Sequence, residues 1–207
     1  MAERAATERL QRTDARRNRE RLLAVAREAF DEAGPDASLI EIARRAGVGQ
    51  GTLYRHFPTR NALLSAVLAD RIETLCQRAV QLSAARSPDD ALADWLRLFL
   101  DHARVNQGLG GAFMTAASEA ASVDCHDVIR STAAGLLDHA QRAGTARPDL
   151  SPDDLVQLVV GIALATARRD DADQAGRLLT LALDAVYGAP RGGQRPAATT
   201  DAGSTAT

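Results

Sequence analysis

The sequence predicts an all-α protein, with a three-helix N-terminal domain followed by a larger helical domain. The 207 residues are 45% hydrophobic but only 3% aromatic. Alanine, leucine and arginine are abundant, which favours helices because sheets prefer β-branched and aromatic residues. Apolar residues also recur at three- and four-residue spacing, whereas no segment shows the alternation of a half-buried strand. We expect about nine helices.

The first helix is predicted from about Ala15, after a polar, arginine-bearing segment. Its apolar positions include Leu22, Ala26 and Phe30, which lie on one stripe. Gly34 and the proline after it end the helix, because glycine permits a left-handed cap and proline cannot continue the hydrogen-bond ladder.

Two short helices follow. Ser38 and Glu41 form a predicted capping box, in which the serine hydroxyl accepts from the backbone N–H three residues later. The helix that starts there ends at Gly47, and a further helix covers residues 50–57 before a proline.

The start of each later helix carries its own signal. Thr59 is the predicted N-cap of a long fourth helix. A Ser-Pro-Asp-Asp sequence occurs at 87–90 and again at 151–154, which places serine at the N-cap, proline at the first helical position and acidic residues in the positive first turn. Glycines 108, 110 and 111 are predicted to end the fifth helix. The remaining predicted helices cover about 112–121, 125–143, 155–166 and 173–187.

These elements predict four segments along the chain. A tail rich in glycine, proline, alanine, threonine and serine has no periodicity and is predicted to be disordered. The segments are a flexible arm (1–13), a three-helix N-terminal domain (14–60), a larger helical domain (61–187) and the tail (188–207).

Charge divides the chain unevenly. Residues 1–60 contain 12 arginines and 9 acidic residues, a net +3, and the remainder contains 13 arginines and 18 acidic residues, a net −5. A basic N-terminal part is suited to contact with a polyanion at one end of the molecule.

Other features concern compartment and membrane. No apolar run approaches 18 residues, and the N-terminus lacks the apolar core of a signal peptide. Cys76 and Cys125 are the only cysteines and do not make a disulfide framework. We therefore predict no membrane partner and a cytoplasmic location.

The sequence offers no catalytic or metal motif. There is no glycine-rich phosphate loop, nucleophile elbow or paired metal motif, so an enzyme is not predicted. Cys125 and His126 together with His102 or His139 match no known metal-ligand spacing. We expect no metal and no cofactor.

Residues 38–57 have the requirements of a helix-turn-helix, namely two short helices joined by a tight turn. Ala43 is small enough for close helix crossing, Gly47 makes the turn, and Val48 and Leu53 fill the space between the helices. The second helix is the one expected to enter the major groove of DNA.

The segment SLIEIARRAGVGQGTLYRHFPTRNALL, residues 38–64, resembles the signature of the TetR family of transcriptional regulators. In that signature a similar helix precedes Ala-Gly-Val, then Thr-Leu-Tyr-x-His-Phe, then a basic residue that opens the fourth helix. The match runs over about residues 16–65 and includes Phe30 and Gly34. The resemblance implies a homodimeric one-component regulator that represses transcription and is released from a near-palindromic operator by a small-molecule effector.

The resemblance also assigns roles to single positions. Tyr54 and His56 match the family's phosphate-gripping aromatic residue and histidine. Arg60 stands where the family usually has lysine, and a guanidinium clamps phosphate differently from an ammonium. Ser38 and Thr52 match hydroxyl positions that hydrogen-bond the DNA backbone.

Base recognition is predicted at the exposed start of the third helix. Glutamine can bond adenine through two hydrogen bonds, and arginine can bond guanine O6 and N7. A glycine there allows close approach of the helix. The residues concerned are Gln50, Gly51, Thr52 and Arg55.

The second helix is a weaker source of contacts. Leu39 and Ile40 stand where some family members have polar residues, which leaves Arg44 and Arg45 as candidates. A solvated surface is an equally good interpretation of both arginines.

In the family resembled, the last two helices pair the subunits. Residues 155–162 are apolar nearly all round, so that helix must be buried on more than one side. Completion of the subunit's own core is the alternative interpretation. The predicted interface residues are Leu155, Leu158, Val159, Ile162, Leu178, Leu179, Ala182 and Val186.

The resemblance further implies that residues 14–60 are the helix-turn-helix DNA-binding domain and that residues 61–187 are the effector-binding and dimerisation domain. Inside the latter, aromatic residues with a few polar groups would suit a ligand. Each candidate could equally belong to the core or the surface. A helical interaction protein without DNA binding is the second rival class, and activation in place of repression stays open. The candidates are Trp95, Phe99, His102, Asn106, Phe113, Met114, His126, Arg130 and His139.

Overall fold

The fold comes from a computed structural model, which describes the backbone of residues 2–114, 119–167 and 172–188 and the side chains of residues 13–105, 125–167 and 173–188. Within these ranges the chain forms eight α-helices and one short 3-10 turn, with no strand. The all-α prediction is confirmed. The elements are α1 (Ala2–Ala33), the 3-10 turn (Gly34–Asp36), α2 (Leu39–Arg45), α3 (Gln50–His56), α4 (Arg60–Ala85), α5 (Pro88–Met114), α6 (Glu119–Arg142), α7 (Pro152–Thr166) and α8 (Ala172–Tyr187).

The start of α1 differs from the prediction. The backbone is helical from Ala2, where a flexible arm was expected over residues 1–13. The segment before Ala15 is rich in alanine, arginine and glutamate, which are strong helix formers, and it contains neither glycine nor proline. The helix therefore extends beyond its apolar stripe, which was the signal used to place its start.

The expected break after α5 is also wrong. The helix continues through glycines 108, 110 and 111 to Met114, because glycine in a helix costs only about 1 kcal/mol and does not forbid helical dihedral angles. The two helices expected over 112–121 and 125–143 are replaced by the end of α5 and by α6, which gives eight helices where nine were expected. Residues 115–118 and 189–207, including nearly all of the predicted tail, lie outside the described residues.

Most predicted helix starts are confirmed by their caps. The Ser38 hydroxyl accepts from the Glu41 backbone N–H at 3.3 Å, and the Thr59 hydroxyl accepts from the Ala62 N–H at 3.0 Å. The predicted box at Ser38 forms only in this half, since the Glu41 carboxylate that was expected to reach back to Ser38 accepts from Arg44. Ser151 and Asp154 form a reciprocal capping box at the start of α7. Each cap satisfies backbone N–H groups that the first turn of a helix leaves without partners.

Two separate hydrophobic cores define two parts of the molecule, here called the head and the body. The head comprises α1–α3 and the first two turns of α4, and the body comprises the rest of α4 with α5–α8. α4 contributes Leu63, Leu64 and Val67 to the head core and Ile72 and Leu75 to the body core. A single rigid helix therefore connects the two cores.

Trp95 lies at the centre of the body. It is fully buried, stacks on Phe99 with 5.5 Å between ring centroids, and donates its indole N–H to the Leu75 carbonyl oxygen at 3.1 Å. That hydrogen bond satisfies the one polar group of the side chain and ties α5 to α4.

None of the helices in the described part of the chain is both long and apolar enough to cross a membrane.

Candidate nucleic-acid interface

The turn between α2 and α3 requires glycine. Gly47 has φ of +66°, in the left-handed region that side chains with a Cβ rarely adopt. The backbone N–H of Val48 donates to the Ala43 carbonyl oxygen at 3.0 Å, and the Gly47 N–H donates to that of Arg44 at 3.1 Å. These bonds close the end of α2 and redirect the chain into α3.

α3 is seated on the head core by one face. Leu53 is fully buried and Phe57, which follows the helix, is almost so. The side chain of Tyr54 is 47% exposed, and Gln50, Gly51 and Arg55 are exposed beside it. The helix thus presents a polar outer face on a rigid apolar base.

Three other predicted contact residues lie at the edge of that face. Thr52 and His56 are half-buried, and the His56 ring centroid lies 6.3 Å from that of Phe57. Ser38 is exposed at the N-terminus of α2, where its hydroxyl caps the helix. Such a hydroxyl can still donate its proton to an acceptor.

Arg44 and Arg45 are engaged with acidic side chains. Arg44 makes two 2.7 Å hydrogen bonds to the Glu41 carboxylate, which lower the pKa of that carboxyl below its usual range. Arg45 donates to Glu32 at 3.0 Å and lies 3.7 Å from Glu41. A phosphate contact by Arg45 would require its guanidinium to exchange these carboxylates for DNA.

Arg60 has a structural role that the sequence analysis missed. Its Nη1 donates to the carbonyl oxygens of Pro35 at 2.8 Å and Ala37 at 2.6 Å, on the connection between α1 and α2. The first residue of α4 therefore holds the segment from which α2 begins. Arginine in place of the family's usual lysine was the one available signal, because a planar guanidinium suits several fixed acceptors.

α1 braces the helix-turn-helix from the other side. Arg21 donates to the Ala46 carbonyl oxygen at 2.8 Å, and the Arg19 guanidinium lies 5.5 Å from the centre of the Phe57 ring. The orientation of α2 and α3 is thus set by arginines on α1 and α4.

The expected effector-pocket residues do not converge. Trp95 and Phe99 are core residues, and neither lines either of the two cavities described below. His126, Arg130 and His139 are exposed on α6. The two cavities therefore do not support these five positions, which stay predictions, because helical periodicity does not tell a core-filling aromatic residue from one that lines a cavity.

The remaining pocket candidates divide in two. The side chains of Asn106, Phe113 and Met114 lie outside the described residues. His102 lines a cavity of about 290 Å³ between α1, α4 and α5, at the junction of head and body. Burial, with a smaller effect from the nearby Arg71 charge, lowers the pKa of His102 to about 4.

A larger groove of about 660 Å³ lies between α5 and α8. It is lined by Leu100 and Leu179 at its base and by Arg97, Arg104 and Leu181 among its rim residues. It shares Asp101 with the junction cavity.

The predicted interface residues of α7 and α8 fall into a buried group and a more exposed group. Five of them are buried in the core of the subunit itself, as the alternative interpretation expects. Leu158 is exposed, and Leu178 and Ala182 are half-buried. The five buried residues are Leu155, Val159, Ile162, Leu179 and Val186.

A different apolar surface lies on the outside of these helices. Leu164 is 60% exposed on α7 and Leu181 is 65% exposed on α8. Leu158 and Gly161 continue the outer stripe of α7. We refer to Leu158, Gly161, Leu164 and Leu181 as the outer apolar face.

Among the residues that the structure describes, no group of three His, Cys, Asp or Glu side chains is arranged to hold a metal ion.

Comparison with known proteins assigns both parts of the chain. Residues 22–67 match the family model described as bacterial regulatory proteins, tetR family, and residues 87–186 match the model described as transcriptional regulator SbtR-like, C-terminal domain.

Solved and curated proteins agree with these matches. A TetR transcriptional regulator from Streptomyces coelicolor is 40% identical, with a TM-score of 0.72 over 82% of this chain and 98% of its own. A TetR regulator from Mycobacterium vanbaalenii is 36% identical, with a TM-score of 0.70 over 86% and 99%. An HTH-type transcriptional regulator of Staphylococcus aureus is 34% identical over 94 residues, 44% of this chain and only 48% of that relative.

The helix-turn-helix on its braced base, the helical body behind it and these similarities lead to one assignment: the chain belongs to the TetR family, whose members are dimeric DNA-binding transcriptional regulators and not enzymes.

Proposed function

We propose that this chain is a homodimeric repressor, which binds a near-palindromic operator in the cytoplasm and leaves it when a small-molecule effector binds. The exposed polar face of α3, carried on the buried Leu53 and Phe57, is the observation that best supports DNA binding. A recognition helix must offer polar side chains to base edges while its orientation stays fixed.

The proposed contacts fall into two classes. Residues at the start of α3 and on its outer face read base edges, whereas aromatic, imidazole and hydroxyl groups at its border hold phosphates and set the register. Arg60 serves this interface from behind through its carbonyl contacts. The proposed DNA-contacting set is Ser38, Arg45, Gln50, Gly51, Thr52, Tyr54, Arg55 and His56, with Arg60 in support.

The outer apolar face is the proposed centre of the dimer contact. A two-fold interface uses the same patch on both subunits, so each exposed leucine would be covered twice. Gly161 has no atom within 4 Å of the position its Cβ would take, which leaves room for the close approach of a partner helix. Two recognition helices related by this two-fold axis would bind half-sites about 34–36 Å apart.

Helix α4, which both cores share, would couple effector binding to release from DNA. Because α4 contributes to both cores, a ligand that favours one position of α4 in the body also favours one position of the head. Such a ligand shifts the population toward a spacing of the two recognition helices that no longer fits the operator.

The test is fluorescence anisotropy of the purified full chain on its own upstream DNA, at several salt concentrations. We expect specific binding at about 10⁻⁸–10⁻¹¹ M that weakens as salt rises. Tyr54→Ala should remove most of this affinity, whereas Arg142→Ala, on the far end of α6, should leave it unchanged. Affinity equal to that for random DNA and equal in both variants, with a genome-wide selection of bound fragments finding no preferred site, would contradict the proposal.

Dimerisation is tested separately by sedimentation. Leu164→Arg should shift the chain toward the monomer, because it places a charge at the centre of an apolar contact. Val80→Arg, at an exposed position of α4 in the body, is the matched control and should leave the dimer intact. A dimer unaffected by Leu164→Arg would place the interface elsewhere.

A further inference from the structure

The junction cavity between α1, α4 and α5 is lined by both apolar and charged side chains. Leu75, Leu98 and Val105 supply apolar lining, and Arg27, Arg71 and Arg78 supply guanidinium groups. At about 290 Å³ the cavity is close to the lower limit for ligand sites. Apolar side chains beside guanidinium groups suit a small organic anion.

Arg71 is the buried cation of this cavity. Its side chain is only 9% exposed, and its Nη2 lies 2.5 Å from the Asp31 carboxylate and 3.4 Å from the Arg27 carbonyl oxygen. Asp31 is 48% exposed. The carboxylate can therefore turn to solvent at little cost, whereas the guanidinium cannot, so another carboxylate can take the place of Asp31 on Arg71.

Two further arginines leave donors available. Arg27 pairs with Asp70, yet its Nε is buried and has no hydrogen-bond partner among the described residues. Arg78 lies in the lining and donates to Gln81 at 2.9 Å, and no described acidic side chain pairs with it. The lining contains three arginines and two aspartates, Asp31 and Asp101, and Asp70 pairs with Arg27 from outside the lining. A buried donor without a partner is costly, so a ligand that accepts from it gains affinity.

Because the cavity lies at the junction, a ligand bound there can change the contacts that position the head. Arg71 on α4 and Asp31 on α1 form one of two ion pairs that hold α1 to α4, the other being Arg27 with Asp70. An anion on Arg71 would break the first pair and so remove one of the polar contacts between α1 and α4.

We propose that the junction cavity is a binding site for a small organic monocarboxylate, whose carboxylate pairs with Arg71 in place of Asp31 while its chain or ring packs on Leu75, Leu98 and Val105. The site lies between head and body, not within the body core. Its regulatory consequence, weaker DNA binding in the occupied state, rests on the proposed function.

The protein contains its own reporter for this site. Trp95 is the only tryptophan, and its indole N–H is bonded to the carbonyl oxygen of Leu75, whose residue lines the cavity. The probes are straight-chain carboxylates from butyrate to octanoate and benzoate, each beside its primary amide as a neutral control. We expect a saturable fluorescence change with at least one acid and binding of its amide at least about tenfold weaker.

Three arginine variants localise the binding. Arg71→Gln and Arg78→Gln should each weaken binding of the acid. The first should reduce the affinity by about tenfold or more, and the second by less. Arg142→Gln, which removes an equally charged residue paired with Asp138 on α6, should change nothing. If Arg71→Gln fails to fold, Arg78→Gln and the amide comparison decide, since Arg78 is exposed.

The proposal is overturned if none of the acids gives a saturable signal, if acid and amide bind equally, or if the folded cavity variants bind as the wild type does. DNA anisotropy then separates this site from the proposed function. An acid that binds but leaves the operator complex intact supports the anion site and rejects its role as effector. Failure to bind operator DNA rejects the proposed function and leaves the fluorescence result unaffected.

Discussion

Head and body are held together by different kinds of contact. In the head and at its junction with the body, arginines join separate helices: Arg45 to Glu32, Arg60 to the Pro35 carbonyl oxygen, and Arg71 to Asp31. Ion pairs described within the body include four between positions at most four apart and one, of Arg86 with Asp94, at the bend between α4 and α5.

The difference reflects the size of the two cores. The small head core cannot by itself fix the angle between α1, α2 and α4, so directional bonds to carbonyl and carboxylate oxygens set it. The body packs many more apolar residues, and the directional bonds that join its helices include those from the aromatic side chains Trp95 to the Leu75 carbonyl oxygen and Tyr187 to the Asp89 carbonyl oxygen. A change in one charged contact can therefore alter the angles between helices in the head more readily than in the body.

Trp95→Ala tests whether apolar packing holds the body. We expect a loss of about 3–5 kcal/mol in the free energy of unfolding, because the substitution leaves a large cavity and removes the bond to Leu75. Urea denaturation followed by circular dichroism measures it. Val80→Ala, at an exposed position of α4, should change stability by less than about 0.5 kcal/mol. A loss below 1 kcal/mol for Trp95→Ala would mean that the body does not depend on this packing.

The junction should make stability depend on pH. Burial holds the pKa of His102 at about 4, against an ordinary value of 6.5, so the folded protein keeps this imidazole neutral while the unfolded chain binds a proton below about pH 6.5. Above that pH the imidazole is neutral in both states, and the free energy of unfolding has its full value. As the pH falls from 6.5 toward 4, only the unfolded chain binds the proton, so the free energy of unfolding decreases by up to roughly 3 kcal/mol.

The measurement is the difference in urea stability between the wild type and His102→Gln from pH 7.5 to 4.5. Neighbouring groups, chiefly Arg71, Asp31 and Asp101, are common to both proteins. His126→Gln, which removes an exposed imidazole, is the control. An identical pH slope in wild type and His102→Gln would show that His102 is not buried in its neutral form.

Arg60→Ala tests the directional bracing of the head. Loss of the bonds to Pro35 and Ala37 should cost about 1–3 kcal/mol and should lower operator affinity as well. Arg60→Lys keeps the charge and separates the two roles. If the arginine acts through the carbonyl oxygens, lysine restores stability only in part; if it acts only as a phosphate contact, both variants unfold as the wild type does.

Gly51→Ala should give the smallest effect, and it should change stability and operator affinity in opposite directions. A Cβ at this position meets no atom within 4 Å, and alanine in a helix is about 0.5–1 kcal/mol better than glycine. Stability should therefore rise, while operator affinity falls if Gly51 allows the helix to approach the bases. Raised stability with unchanged affinity would remove Gly51 from the proposed contact set.

The sequence predicted the helix-turn-helix well and the partners of its charged residues poorly. Ser38, Gly47 and Thr59 act on neighbours within four positions, so their caps and turn follow from local chemistry. Arg60 and Arg71 contact groups 23 to 44 positions away, and nothing in the local pattern indicates such partners.

Helical periodicity had a similar limit in the body. The pattern of α7 shows that it is apolar on several sides, but not which side faces its own subunit. Val159 and Leu164 look alike in the sequence, yet one is completely buried and the other largely exposed. Trp95 and Phe99 show the same limit, because periodicity marks both as apolar positions and does not tell a core residue from one that lines a cavity.

The sequence by itself determined the helical class, the family and the residues that begin and end most helices, because these depend on composition and on contacts within one turn. The tertiary structure alone decided which arginines brace the head, which face of α7 and α8 stays outside and where head and body leave a cavity. These features arise where helices distant in the chain meet, and their side-chain partners are set by the packing of whole helices.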